Sequence, residues 1–206
     1  MKIKNAAIFL LICVGVNGLQ AQKYGFQFLQ GVSKPVVQFS AAGEKLAYQS
    51  SFTNDTRAGL WFGDLNNVSF SVLLGYANVS ANHTNPDFIT TMGYSSFLVD
   101  MPVRYSIKES VIKSFSIGPT LGILANSSQT VNNLAINTKN DFSPTTLSIS
   151  TELSFKGFQT EGLNITPYIG YRMMLNSADA DNDKLHLNAI NLGLRIDLTK
   201  QEDKAK

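Results

Sequence analysis

Residues 97–106 alternate between apolar and other side chains at almost every position. The odd-numbered positions are Phe, Val, Met, Val and Tyr, whereas the even-numbered positions include Asp100 and Arg104. Successive side chains of a β-strand point to opposite faces. The pattern therefore predicts a strand with one wholly apolar face and one face that carries an acid and a base. Because four later segments repeat it, the chain is predicted to be all-β.

We predict eight antiparallel strands that close into an up-and-down barrel. They cover residues 23–32, 57–64, 68–79, 94–107, 111–125, 145–158, 163–176 and 188–198. In the last five strands, none of the 25 positions assigned to the apolar face is charged. With 16% of the chain charged, about four charged residues would fall there by chance. The segregation favours a barrel that is apolar outside and polar within.

The charged residues of the opposite face are the candidate site residues. They are Arg57, Asp100, Arg104, Glu152, Lys156, Arg172, Arg195 and Asp197. An eight-stranded barrel has an interior just wide enough for side chains. Opposite charges in such a water-poor space are expected to pair, which favours a plug that fills the lumen. The alternative for the same residues is a narrow pore or a proton path.

The two ends of the chain are expected to lie outside the barrel. Residues 1–21 have the form of a cleaved signal peptide, with Lys2 and Lys4 before an apolar run and a small residue at Ala21. Cleavage would remove Cys13, the only cysteine, so no disulfide is expected. Residues 22–198 are predicted to form the transmembrane barrel, and 199–206 a charged tail on the periplasmic side.

The connections alternate between short and long, as periplasmic turns and external loops do in such barrels. The long segments 80–93, 126–144 and 177–187 are rich in polar residues and are predicted to be loops that contact an external partner. The segment 33–56 is a further long connection. Without Lys2 and Lys4, the chain has 15 basic and 15 acidic residues. It therefore lacks the excess of basic residues that is typical of a nucleic-acid binder.

Motifs for catalysis or for a cofactor are weak. Asp179, Asp181 and Asp183 alternate as in the opening of a calcium loop, but the turn glycine and the final acid are replaced by Lys184 and Ile190. His83 and His186 accompany no nucleophile motif. We therefore expect no enzyme activity, no metal and no cofactor.

Three segments resemble a known family. They are Leu98-Val99-Asp100-Met101-Pro102-Val103-Arg104-Tyr105, Ser116-Ile117-Gly118-Pro119-Thr120-Leu121-Gly122 and Asn191-Leu192-Gly193-Leu194-Arg195-Ile196. The chain is similar there to the small porin-like or OmpX/OmpA-like outer-membrane β-barrel proteins of Gram-negative bacteria. The resemblance implies an eight-stranded barrel that the outer-membrane assembly machinery inserts among outer-membrane lipid and lipopolysaccharide. One departure is the last strand, which ends at Leu198 instead of an aromatic residue.

Three functions remain open at this point. The leading hypothesis is a non-enzymatic outer-membrane barrel with a structural or interaction-mediating role. The second is a pore for small solutes. The third is a soluble, lipocalin-like periplasmic binder of a hydrophobic ligand, in which the apolar face would point inward. Alternation alone does not decide which face is inside.

Overall fold

The computed structural model describes residues 23–41, 44–85, 88–108, 110–136, 142–177 and 184–199. The regular structure of this part of the chain is β, in thirteen strands. They are β1 (Lys23–Ala41), β2 (Glu44–Ala47), β3 (Gln49–Ser50), β4 (Thr53–Gly63), β5 (Val68–Asn85), β6 (Phe88–Asp100), β7 (Val103–Ser106), β8 (Ile112–Val131), β9 (Leu134–Ile136), β10 (Thr145–Phe155), β11 (Phe158–Gln159), β12 (Leu163–Met174) and β13 (Lys184–Thr199). Among the described residues, no helix has the length and apolarity to cross a membrane. The predicted leader 1–21 and the tail beyond Thr199 lie outside them.

The long strands close into one antiparallel ring. Its order is β1, β4, β5, β6 with β7, β8, β10, β12 and β13, and β13 pairs with β1. β6 and β7 share one position in the ring, where Met101 and Pro102 interrupt a single predicted strand. Proline has no N–H to donate to the ladder, although Pro119 and Pro167 are accommodated within β8 and β12. The predicted eight-stranded antiparallel barrel is confirmed.

The ring is staggered, as the tilt of the strands in a closed barrel requires. Following directly paired residues once around the ring from Ser33 returns to β1 ten residues away, at Lys23. The path is Ser33, Asn191, Gly170, Glu152, Ser116, Arg104, Ser69, Gly63 and Lys23. This stagger brings side chains from distant parts of the sequence to the same level of the lumen.

The exposure of the side chains shows which face of the sheet is outside. Leu74 and Phe97 are 64% and 57% exposed, whereas Asp100 and Asp197 are 1% and 0% exposed. The apolar face therefore surrounds the barrel, and the charged face lines the lumen. A lipocalin-like binder has the opposite polarity, so that hypothesis is wrong for this fold.

Three strands are much longer than a bilayer requires. β1, β5 and β8 contain 19, 18 and 20 residues, whereas a tilted spanning strand needs about 9 to 11. The predicted loops 80–93 and 126–144 are therefore corrected. β5 and β6 stay paired as far as Asn85 and Phe88, and β8 continues to Val131. Polar side chains made these segments look like loops, but a ladder is built from backbone groups and tolerates them.

The same correction applies to the other two predicted loops. Most of the segment 33–56 lies in β1, β2, β3 and β4, and β13 begins at Lys184, within the segment 177–187. The extended strands all lie at one end of the barrel, which we call the hairpin end. The connections β4–β5, β7–β8 and β10–β12 are short and lie at the opposite end, which we call the short-turn end.

Candidate functional site

Arg57 on β4 connects three walls of the lumen. Its Nε and Nη2 donate to the two carboxylate oxygens of Asp55 at 3.1 and 2.8 Å, and its Nη1 donates to Asp100 on β6 at 2.9 Å. The hydroxyl of Tyr168 on β12 donates to Asp55 at 3.2 Å. Arg57 and both aspartates are buried. Because a guanidinium is a planar fork of donors, one arginine can hold both carboxylates.

Asp55 and Tyr168 were not among the predicted site residues. Asp55 falls in the segment predicted to be a loop, although it lies two positions before Arg57 and so on the same face of β4. Extending the alternation by two residues from Arg57 toward the N-terminus would have identified Asp55 as an inward residue. Alternation from Arg172 puts Tyr168 on the inner face as well, but Tyr168 is neutral and the candidate residues were chosen by their charge.

A second ion pair crosses the lumen nearer the short-turn end. Nη1 of Arg104 on β7 lies 2.8 Å from Oδ2 of Asp197 on β13. Nε of Arg104 donates to the hydroxyl of Ser69 at 3.0 Å, and the amide of Asn164 donates to Asp197 at 3.3 Å. Ser69 and Asn164 lie on β5 and β12, so four different strands are joined at this level.

The third ion pair joins Arg195 on β13 to Glu152 on β10. Arg195 also donates to the hydroxyls of Ser154 and Ser116 at 2.9 and 3.3 Å. Glu152 lies 4.0 Å from Nη2 of Arg57, which links this pair to the first group. Serine hydroxyls on β10 and β8 thus accept hydrogen bonds from the guanidinium of Arg195 across the lumen.

Two predicted site residues lie apart from these contacts. Arg172 is buried in the lumen wall on β12 but forms no hydrogen bond or ion pair with the described residues. Lys156 is exposed, one residue beyond the end of β10, and its side chain does not enter the cluster. The register of the β10–β8 ladder shifts between Ser154 and Phe155, so the alternation that placed Lys156 inside no longer applies.

The buried charges of the described lumen balance. Asp55, Asp100, Glu152 and Asp197 face Arg57, Arg104, Arg172 and Arg195, which gives four acidic and four basic side chains. A charge is costly to bury unless it is paired, and breaking a buried pair costs more than breaking a surface pair. Such a set can hold strands in register and can obstruct the passage of water and ions.

Toward the hairpin end, the lumen changes from charged to apolar. Inward side chains form a cluster there, which we call the apolar cluster: Val37, Val79, Ala81, Met92, Tyr94, Phe142, Met174, Leu185 and Leu187. Continued toward the N-terminus, the alternation of residues 188–198 puts Leu185, Leu187 and Ala189 on the inner face, although all three are apolar. All three are buried, so it is the polarity of the interior that changes there.

At the short-turn end, Trp61 occupies the lumen. It is fully buried, and its indole N–H donates to the backbone carbonyl of Leu198 at 3.2 Å. Alternation from Arg57 predicts Trp61 on the inner face of its strand, whereas a tryptophan is also typical of the membrane interface. The interface position is wrong, because an adjacent glycine, Gly25, leaves room for the indole inside.

The remaining candidate groups from the sequence are the acidic segment 179–183 and the two histidines. The part of the chain that the structure describes contains no group of three or more metal-ligating side chains. Asp179, Asp181 and Asp183 lie outside the described residues. His83 packs near the ring of Tyr48, with 5.4 Å between ring centroids.

The outer surface of the ring is apolar and carries aromatic side chains near both ends. Toward the short-turn end, Tyr24 pairs directly with Phe62. Toward the hairpin end, Tyr76 and Phe97 meet edge to face with 5.5 Å between their centroids. Exposed leucines such as Leu74 lie between these levels. An apolar band with aromatic girdles around a polar interior is the surface of a barrel embedded in a membrane.

The chain folds as an outer-membrane β-barrel. In barrels of this kind, short turns belong to the periplasmic side and longer connections to the external side. The surface of this barrel lies against membrane lipid.

Known proteins resemble this barrel in architecture but not closely in sequence. No family model matches the chain, and no curated protein matches it significantly. Among solved structures it is similar to Neisserial surface protein A, at 13% identity over 88% of this chain and 100% of that chain, with a TM-score of 0.41. It is similar to the outer membrane protein AlkL at 9% identity over 89% and 93% of the two chains, with a TM-score of 0.45.

A third similar structure is Ail, the attachment invasion locus protein of Yersinia pestis. The identity is 14% over 85% of this chain and 99% of that chain, with a TM-score of 0.37. That structure contains a heparin analogue, sucrose octasulfate. At such identities the likeness concerns architecture alone.

Proposed function

We propose that the protein is a closed, non-enzymatic outer-membrane barrel whose external hairpins contact a partner outside the cell. The observation that carries the first part is the filled lumen. Trp61, the ion-paired cluster around Arg57 and the apolar cluster follow one another along its length. A passing ion would have to displace paired charges and then cross a layer without polar partners, which is costly in both places.

The external hairpins support the second part of the proposal. β5 and β6 pair for many residues beyond the level of Tyr76 and Phe97. The outward side chains of this part of β5, which include Asn78, Ser80 and Asn82, are exposed and uncharged. Strand pairing makes this surface stiff, so its hydroxyl and amide groups are held in place before any partner binds, which lowers the entropic cost of binding.

Conductance across a planar bilayer tests whether the barrel is closed. We expect the purified, folded protein to insert without discrete conductance steps. A widened variant, in which Arg57 and Leu187 are both replaced by alanine, serves as the control that inserted barrels are detectable. Stepwise conductance of the unaltered protein, with an ion selectivity that Arg172→Glu changes, would support the pore instead.

Photo-crosslinking in intact cells tests the hairpins. A photoreactive residue at Asn82, on the outer face of β5, is expected to give adducts with an external molecule. The same residue at Leu74, in the apolar band, should give only lipid adducts and is the matched control. If Asn82 gives no adduct beyond that background, the interaction role is wrong, whereas the closed barrel is unaffected.

The surroundings of the barrel belong to the same proposal. Its apolar band would contact phospholipid on the periplasmic side and lipopolysaccharide on the external side, and the assembly machinery of the outer membrane would insert it. The support is the continuous exposed band that includes Leu60, Leu74 and Leu192.

A further inference from the structure

A small cavity lies in the lumen between the ion-paired cluster and the apolar cluster. The centre of a water-sized sphere can occupy a volume of about 20 Å³ in this cavity. By the same definition, a cavity needs about 10 to 15 Å³ to hold one water molecule. Polar groups that line it include the side chains of Ser96, Thr146, Ser148 and Arg172. It can hold a particle the size of one or two water molecules.

Arg172 is the unusual member of this lining. It is only 8% exposed, yet its guanidinium makes no hydrogen bond or ion pair with any described residue. A guanidinium has five N–H donors and no acceptor. Asp55 lines the same cavity, but both of its carboxylate oxygens already accept hydrogen bonds from Arg57. The charges of Asp100 and Asp55 act on Arg172, but both carboxylates form their ion pairs with Arg57, so the donors of Arg172 are open to a further acceptor in the cavity.

The cavity reaches the barrel wall where two strands separate. The β4–β5 ladder ends at the pair Thr56 and Tyr76. Pairing with β5 resumes only at Ser50 and Ala81, through β3. Outward residues of the unpaired stretch, among them Asn78, line the cavity together with the inward ones. The cavity therefore borders this gap in the wall, which we take as the entry for a small solute.

We propose that this cavity binds a small monovalent inorganic anion of the halide class, held by Arg172. The hydroxyl groups of Ser96, Thr146 and Ser148 supply further donors along the lining. Halides accept hydrogen bonds from several directions and fit a cavity of this volume, whereas a phosphate or a carboxylated ligand exceeds it. Because the lumen charges already balance, the affinity is weak, in the millimolar range, which suits the chloride concentration of many external media.

Bromide replaces chloride as the probe, because its anomalous X-ray scattering identifies it directly. In crystals of the unaltered protein grown with bromide, we expect an anomalous peak in the cavity beside Arg172. A cavity that holds water alone under these conditions would overturn the proposal. This measurement needs no variant and does not depend on whether the barrel conducts.

The second measurement is the free energy of unfolding by urea, compared between bromide and gluconate solutions of equal ionic strength. Gluconate is too large for the cavity and serves as the reference anion. At ten times its dissociation constant, bromide should favour the folded state about tenfold. Arg172→Gln should abolish this difference, whereas Lys156→Gln, which removes an exposed charge, should retain it. An equal response of the unaltered protein and Arg172→Gln would refute the site, since the effect would then be a general one of the salt.

Discussion

Arg104 and Asp197 are 93 residues apart in the sequence and 2.8 Å apart in the lumen. Their strands, β7 and β13, are not neighbours in the ring. The ion pair therefore crosses the interior instead of following the wall, and its geometry depends on closure of the whole barrel. Substitutions at this pair are therefore expected to change the free energy of unfolding of the whole barrel.

Removing one partner of this pair should destabilise the barrel strongly. Arg104→Met removes the ion pair of Asp197 and leaves the amide of Asn164 as its hydrogen-bond donor among the described side chains. We expect a loss of about 3 to 5 kcal/mol in the free energy of unfolding, measured by urea titration in detergent micelles. The double variant Arg104→Met with Asp197→Leu should recover most of this loss, because it leaves no unpaired charge. A double variant as unstable as Arg104→Met alone would contradict this view.

Gly75 should tolerate no side chain, because it lies directly against Arg57. A Cβ at this position would stand 2.6 Å from Cγ of Arg57 and 3.0 Å from the backbone oxygen of Thr56. We expect Gly75→Ala to displace the arginine and to cost about 1 to 3 kcal/mol of stability. Gly170→Ala is the control, since its nearest side-chain atom would be Cγ of Glu152 at 3.5 Å. Equal unfolding midpoints for the two variants would show that Arg57 can move without cost.

Trp61, the only tryptophan of the chain, should be shielded from lipid. In vesicles that contain brominated acyl chains, which quench tryptophan on contact, we expect little loss of its fluorescence. The control combines Trp61→Phe with Phe62→Trp, which moves the indole one residue along β4 and so to the outer face. Its fluorescence should be quenched strongly. Strong quenching of the unaltered protein would place Trp61 at the interface after all.

The same side chain should fasten the C-terminal end of β13 to β4 across the short-turn end of the lumen. Trp61→Phe keeps the ring but removes the hydrogen bond to the carbonyl of Leu198. We expect the free energy of unfolding to fall by about 1 kcal/mol and the backbone amides of the last residues of β13 to exchange hydrogen faster. Exchange rates unchanged at Leu198 and its neighbours would mean that the β1–β13 ladder holds this end by itself.

The closed ring should resist detergent before it is heated. In isolated outer membranes, the unboiled protein is expected to migrate on a gel as a compact species that shifts to its full apparent mass on boiling. The β1–β13 ladder closes the ring over sixteen residue pairs, so no edge is left from which the sheet can unravel. A soluble periplasmic protein without a shift on boiling would refute the membrane barrel.

Much of the fold could be predicted from the sequence because alternation is a local signal. It placed Asp100 and Arg104 on one face and Phe97 and Tyr105 on the other, as the structure has them. Strand ends were predicted less well. β5 runs to Asn85, since polar side chains at its end leave the backbone ladder intact. β10 ends at Phe155, so Lys156 falls outside the strand in which it was predicted.

The sequence by itself determined that the chain is a set of two-faced strands, since each side chain's face follows from its position relative to its neighbours. Only the tertiary structure decided which face is inside and which charges meet. Arg57 reaches both Asp55 and Asp100, while Arg172 faces a cavity without a partner among the described residues. These contacts depend on the ten-residue stagger of the closed ring, a property of pairing among all its strands that no single segment contains.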